Sequence, residues 1–248
     1  MTTSRRDVRA RLGSIVSGSQ PGHATADLLC LACVDLLGVD GAAISMVHQG
    51  LSRGTYGASG AQSRRVDEYQ FTFGEGPCLD AVRTSTAVLV ADLDSPHELR
   101  WPGFTDATLR DGIHAVFALP IVLASVCVGA LDLFRAAPGH LTDDDLAGGM
   151  LAAELAALPL VELAADSRSV ARDDDYERLG DLDRIEVHQA TGMLISQLDV
   201  DAAEASMRLR GHAVATGRTA SEVAWDIIER RLVLERDPPP DTPGGEGT

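Results

Sequence analysis

Seven polar residues in the last quarter of the chain carry its strongest chemical suggestion: Arg184, Gln189, Thr191, Arg208, Arg210, His212 and Arg218. A guanidinium plane stacks on an unpaired base, and its fork of N–H donors fits phosphate oxygens and guanine edges. Glutamine, threonine and histidine can read the base edges that single-stranded loops expose. The plainer reading of the same arginines is a solvated face balanced by Glu204, Glu222 and Asp226. Elsewhere the reactive residue types are sparse. Cys30 and Cys33 form a Cys-x-x-Cys pair in an apolar run, with no second cysteine pair or paired histidines nearby. Zinc usually takes four ligands, so two small buried thiols are expected, with a redox role as the alternative. Cys78 follows a Gly-rich turn at a helix start, where a thiolate would be favoured; packing is the expectation and sensing the alternative. Gly74-x-Gly76 lacks the lysine of a phosphate-binding loop and reads as a turn. Serine, histidine and aspartate occur at no spacing that suggests a triad. No catalytic residue, no metal site and no cofactor is expected.

Three short helices must position the arginine set. Val187, Ala190 and Leu194 fall at i, i+3 and i+7, one face of a helix. Asp201 followed by Glu204 reads as a helix start of the capping-box type, and Thr219 followed by Glu222 as a complete one. Gly217 stands where the second helix should stop. Val223, Ala224, Ile227, Ile228 and Leu232 give the last helix a broad apolar face, and packing is the expectation for Trp225 at its edge. The contacts are made by small residues, so this bundle needs a neighbour or a dimer partner to be stable.

Composition limits the possibilities. The chain has 248 residues and a formal net charge of −16, which argues against a generally basic nucleic-acid binder. All 21 basic residues are arginine. No signal peptide is visible, and no stretch approaches the roughly 20 apolar residues that cross a bilayer. A cytoplasmic protein with no membrane association is expected.

The first 160 residues alternate helical and β-like runs. Residues 1–20 are polar, a short helix or loose arm. Ala24 to Leu37 is apolar without Gly or Pro and reads as a helix. Strands are expected at 42–48, 54–57, 87–91, 115–121 and 127–134. Pro77 suits the first turn of a helix through Val82. A final helix starts at Leu141-Thr142-Asp143-Asp144-Asp145, carries Leu146, Met150, Leu151, Leu155 and Leu158, and should end or kink at Pro159. This makes an α+β sandwich of an antiparallel sheet with flanking helices, followed by a small three-helix bundle.

Two families have these features. Phe73-Gly74-Glu75-Gly76-Pro77-Cys78, then Ala87 to Asp92, Val128-Gly129-Ala130-Leu131-Asp132-Leu133 and Leu141 to Asp145 resemble, in order, the GAF domain, a bacterial sensor fold. Arg184 to Leu194 with Ala190-Thr191-Gly192-Met193-Leu194, Asp201 to Ala205, Leu209-Arg210, Glu222-Val223-Ala224 and Ile227-Ile228 resemble the ANTAR domain, an RNA-binding module of transcription antitermination regulators. The two resemblances imply an N-terminal arm at 1–20, a GAF-like domain at 21–165, a linker at 166–180, an ANTAR-like domain at 181–236 and a disordered tail at 237–248. They further imply a non-enzymatic homodimer that binds paired stem-loops in nascent leader RNA and prevents a terminator hairpin. The GAF-like half would sense an unidentified small molecule or serve as the dimer platform. The alternative is a ligand-sensing or protein-interaction dimer whose ANTAR-like module does not bind RNA; Thr191, where that family usually carries a basic residue, favours it.

Overall fold

In the first half, apolar residues come in near-continuous runs rather than clean alternation, because both faces of the sheet are covered. The computed structural model describes residues 5–18, 23–48, 51–123, 125–169 and 184–235. Helices α1 (Arg5–Gly18) and α2 (His23–Leu36) lead into strands β1 (Gly41–His48) and β2 (Leu51–Ala58). Helices α3 (Ala61–Phe73) and α4 (Pro77–Thr84), strand β3 (Val88–Val90) and helix α5 (Pro102–Arg110) follow. Strands β4 (Ala115–Leu123) and β5 (Val126–Arg135) and helix α6 (Asp143–Ser169) close this half. The five strands are antiparallel in the order β2-β1-β5-β4-β3.

Side-chain period sorts the strands into two cores. Phe117, Leu119 and Ile121 of β4 with Leu131 and Leu133 of β5 face α1, α2 and α6. Val116 and Phe134 face the opposite way, toward Val66 and Tyr69 of α3 and Phe104 of α5. Gly57 lets α2 lie against β2: a Cβ there would stand 2.5 Å from the Ala26 Cβ. Gly74 ends α3 in the left-handed region at φ 69°, with its N–H returned to the Gln70 carbonyl, so Gly-x-Gly serves as a turn and Pro77 opens α4 as expected.

Of the two readings of residues 1–20, a short helix or a loose arm, residues 5–18 form the helix, α1, and its Val8 and Leu12 are buried in the first core. Two features depart from the sequence reading. Helices α3 and α5 were not foreseen. Their sequences mix polar and apolar residues, and their Gly and Pro punctuation lies at their ends. Helix α6 runs through Pro159 to Ser169; proline costs a helix one hydrogen bond, and here the helix continues past it. Trp225 is 51% exposed, which places it outside the core of the single chain and leaves packing at an interface as the form of the expectation that stands. The expected tail and most of the expected linker lie outside the described residues.

The C-terminal region forms helices α7 (Ile185–Leu198), α8 (Ala202–Thr216) and α9 (Ala220–Ile228). Their boundaries follow the local signals. The Asp201 carboxylate accepts the Glu204 N–H, Gly217 stops α8 at φ 65°, and Thr219 and Glu222 complete both bonds of a capping box.

Candidate nucleic-acid interface

The three helices close around Val187, Ala190, Leu194, Leu209, Val223 and Ile227, and Phe71 of α3 packs against this core from outside. The bundle is thus docked on α3. Arg65 donates to a Glu222 carboxylate oxygen at 3.1 Å, and the Ala220 N–H donates to the Thr72 hydroxyl at 2.9 Å.

The seven sequence-selected residues divide into two groups. Arg184 and Arg210 turn onto α3. Arg184 is only 6% exposed. Its Cζ lies 4.3 Å from the Phe71 ring centroid, and that of Arg210 lies 4.5 Å from it. Arg184 Nη2 stands 3.8 Å from Asp67 Oδ2, and Nη1 stands 4.0 Å from Glu68 Oε1. These are charge attractions without hydrogen bonds: Arg184 Nε and Nη2 and Arg210 Nε have no hydrogen-bond partner among the described residues. The remaining five lie away from α3 or are held within the bundle. Gln189 is exposed on α7, and Thr191 returns its hydroxyl to the Val187 carbonyl at 2.7 Å. Arg208 pairs with Glu204 one turn earlier at 2.7 Å. Arg218 pairs with Asp226 at 2.7 Å and donates to the Glu222 carbonyl. His212 is half-buried on α8.

Electrostatics on the α3 side follow from burial. Burial raises the Glu68 carboxyl above its ordinary range, against the lowering pull of Arg184 and Thr219. Burial also lowers the Arg210 guanidinium, helped by the like charge of Arg184. Beneath α3 lies a closed polar layer. Ser45 and Thr55 donate to the two oxygens of Asp67. Gln70 donates to Asp132 Oδ2 at 2.6 Å and accepts the Cys78 N–H at 2.7 Å. Asp132 Oδ1 has no hydrogen-bond partner among the described residues. Burial, then the Asp67 charge, pushes the Asp132 carboxyl well above the usual carboxylate range. Cys78 is fully buried, and burial, then the same two aspartates, push its thiol up, against the pull of its place at a helix start. Cys30 and Cys33 are buried free thiols, with Cys33 pushed up to about 12. Among the described residues no group of three or more His, Cys, Asp or Glu could hold a metal, and no helix is long and apolar enough to cross a membrane.

Sequence reasoning missed the α3 partners Arg65, Asp67, Glu68 and Phe71 because it missed their helix. The available signal was Val66, Tyr69 and Phe73 at i, i+3 and i+7 between Gly60 and Gly74.

The first half is thus an α+β module, a five-stranded antiparallel sheet in this order with helices on both faces. The sequence model of the GAF domain matches residues 22–161, and the chain belongs to the GAF domain family. Solved structures agree on the fold. The GAF domain of a phosphoenolpyruvate-protein phosphotransferase (ptsP) from Coxiella burnetii superposes with a TM-score of 0.53 at 15% identity, covering 66% of this chain and 96% of that one. The GAF domain of an Acinetobacter phosphoenolpyruvate-protein phosphotransferase gives 0.53 at 14% identity, covering 68% and 99%. No curated protein matches the chain.

Proposed function

We propose that the chain is an RNA-binding transcription antitermination regulator in which the GAF half governs the C-terminal bundle. The observation that supports this reading is the ordered ANTAR-like motif set from Arg184 to Leu232, whose helix starts and stops coincide with real caps at Asp201, Gly217 and Thr219. On this reading two bundles, brought together by a homodimer of the GAF half, engage the paired loops of a nascent leader, and tethering raises the effective concentration of the second bundle. The GAF half takes an unidentified small molecule or acts as the dimer platform. Direct binding to a two-loop RNA and to a scrambled RNA, with salt varied, tests it. The expected result is preference for the two-loop RNA, with affinity falling as salt rises because arginines displace phosphate counterions. Equal, weak binding to both would overturn it.

The inward turn of Arg184 and Arg210 and the net charge of −16 favour a second reading, a ligand-sensing or protein-interaction dimer whose bundle does not bind RNA. Failure of RNA binding in the same experiment, by a protein whose bundle is freed from α3 as well as by the parent, selects it.

A further inference from the structure

Helix α3 presents to Arg184 and Arg210 the chemistry that a nucleic acid would present. Asp67 and Glu68 offer anionic oxygens where RNA offers phosphates, and Phe71 offers a flat ring where RNA offers a base. We propose that α3 is a built-in competitor for RNA, and that the docked bundle is a resting state whose arginine face RNA reaches only when α3 is displaced. This inference rests on the RNA-binding reading above.

Three observations support it. First, the competitor makes an inferior bond. Asp67 is held by Ser45 and Thr55 with its nearer oxygen 3.8 Å from Arg184, beyond hydrogen-bond reach, so Arg184 gains only attraction, whereas a phosphate could approach to take hydrogen bonds from the same guanidinium. Second, docking burdens Arg184. Two of its buried nitrogens lack a hydrogen-bond partner among the described residues, and its backbone sits in the left-handed region at φ 49° and ψ 58°. Unmet buried donors and a non-glycine residue in that region each raise the energy of the docked state, and both can be relieved on release. Third, the remaining polar ties among the described residues are few. They are the partly exposed Arg65–Glu222 pair, the Ala220–Thr72 hydrogen bond and the Thr219–Glu68 hydrogen bond. The docked and released states can therefore be close enough in energy for a ligand to move the balance.

The test locks and opens the same full-length chain. Arg65→Cys with Glu222→Cys, two partly exposed positions that face each other across the contact, is closed with a thiol-reactive cross-linker that spans the ion pair it replaces, in a background where the partly exposed Cys127 is Ser and the other cysteines are buried. A second protein carries Phe71→Ala, which removes the ring under both arginines. Binding to a two-loop RNA is measured for each. The cross-linked protein is expected to bind about tenfold or more weakly than the same protein unlinked, and Phe71→Ala about tenfold more tightly than the parent, within the usual span of such couplings. Failure of the pair to cross-link shows that the bundle does not rest on α3 and overturns the proposal. Equal binding of linked and unlinked protein overturns the competition and leaves the RNA reading standing. Absence of RNA binding in every form, Phe71→Ala included, overturns the RNA reading itself and the competition with it.

Discussion

The two halves of the chain are built from different core materials. The sheet half buries Phe104, Phe117, Phe134, Leu119, Ile121 and Leu131 almost completely, in two cores on opposite faces. The bundle core is aliphatic, built from Val187, Leu194, Leu198, Leu209, Val223 and Ile227 with five alanines, and among the described residues it buries no aromatic ring of its own. Apolar burial stabilises in proportion to area, so the sheet half rests on large rings and branched side chains, while the bundle, with a smaller core, relies more on well-made helix ends; Phe71 packs against that core from outside. The contrast suits a division of labour, with a firm platform and a module whose attachment can change.

The largest effect should come from breaking the platform. Phe117 is buried in the middle of β4 against α2 and α6, and Phe117→Ala removes a ring that no neighbour can replace. A loss of about 3–5 kcal/mol is expected in chemical denaturation. A loss below about 1 kcal/mol would mean that the sheet core is looser than its packing indicates.

A smaller effect should come from the bundle, at its caps rather than its core. The Thr219 hydroxyl accepts the Glu222 N–H, and Glu222 returns the favour to the Thr219 N–H at 2.9 Å. Helix α9 has nine residues, too few to hold without its ends. Thr219→Ala should cost about 1–2 kcal/mol, and hydrogen exchange should quicken in α9 while β4 and β5 stay protected. Equal quickening in both halves would refute the separation of the two cores.

The sequence declared some of this and concealed the rest for identifiable reasons. The bundle's boundaries were legible because capping is local: Asp201, Gly217 and Thr219 act within three residues of themselves. The strands were legible from their apolar runs. Helix α3 was not, because its polar residues are buried against partners far along the chain. Asp67 answers Ser45 and Thr55, and Gln70 answers Asp132, 62 residues away. The candidate site was half legible in the same way. The direction in which Arg184 and Arg210 point is a property of α3, which the local pattern around them does not contain.

The smallest predicted change tests the polar layer that separates α3 from the sheet. Asp132 is fully buried, faces the charged Asp67 of α3, the Gln70 amide and the Cys78 thiol of α4, and its carboxyl is raised well above the usual range. In the unfolded chain an aspartate ionises near pH 4. Between that pH and the raised folded value, the folded protein holds one more proton than the unfolded chain, so stability falls as pH rises through the window. Below the window both states are protonated and the group contributes nothing. Asp132→Asn keeps the shape and still accepts from Gln70, whose orientation is fixed by the Cys78 N–H on its other atom. The new amide N–H takes the place of Oδ1, which has no hydrogen-bond partner among the described residues, so no bond is gained and only the charge is lost. The variant should therefore match the parent near pH 4 and exceed it by about 1 kcal/mol toward pH 8. Glu68 titrates in the same direction in both proteins, so the difference between their urea midpoints isolates Asp132. Midpoints that stay parallel from pH 4 to 8 would show that Asp132 ionises normally, and that the layer under α3 is wetter than its hydrogen bonds imply.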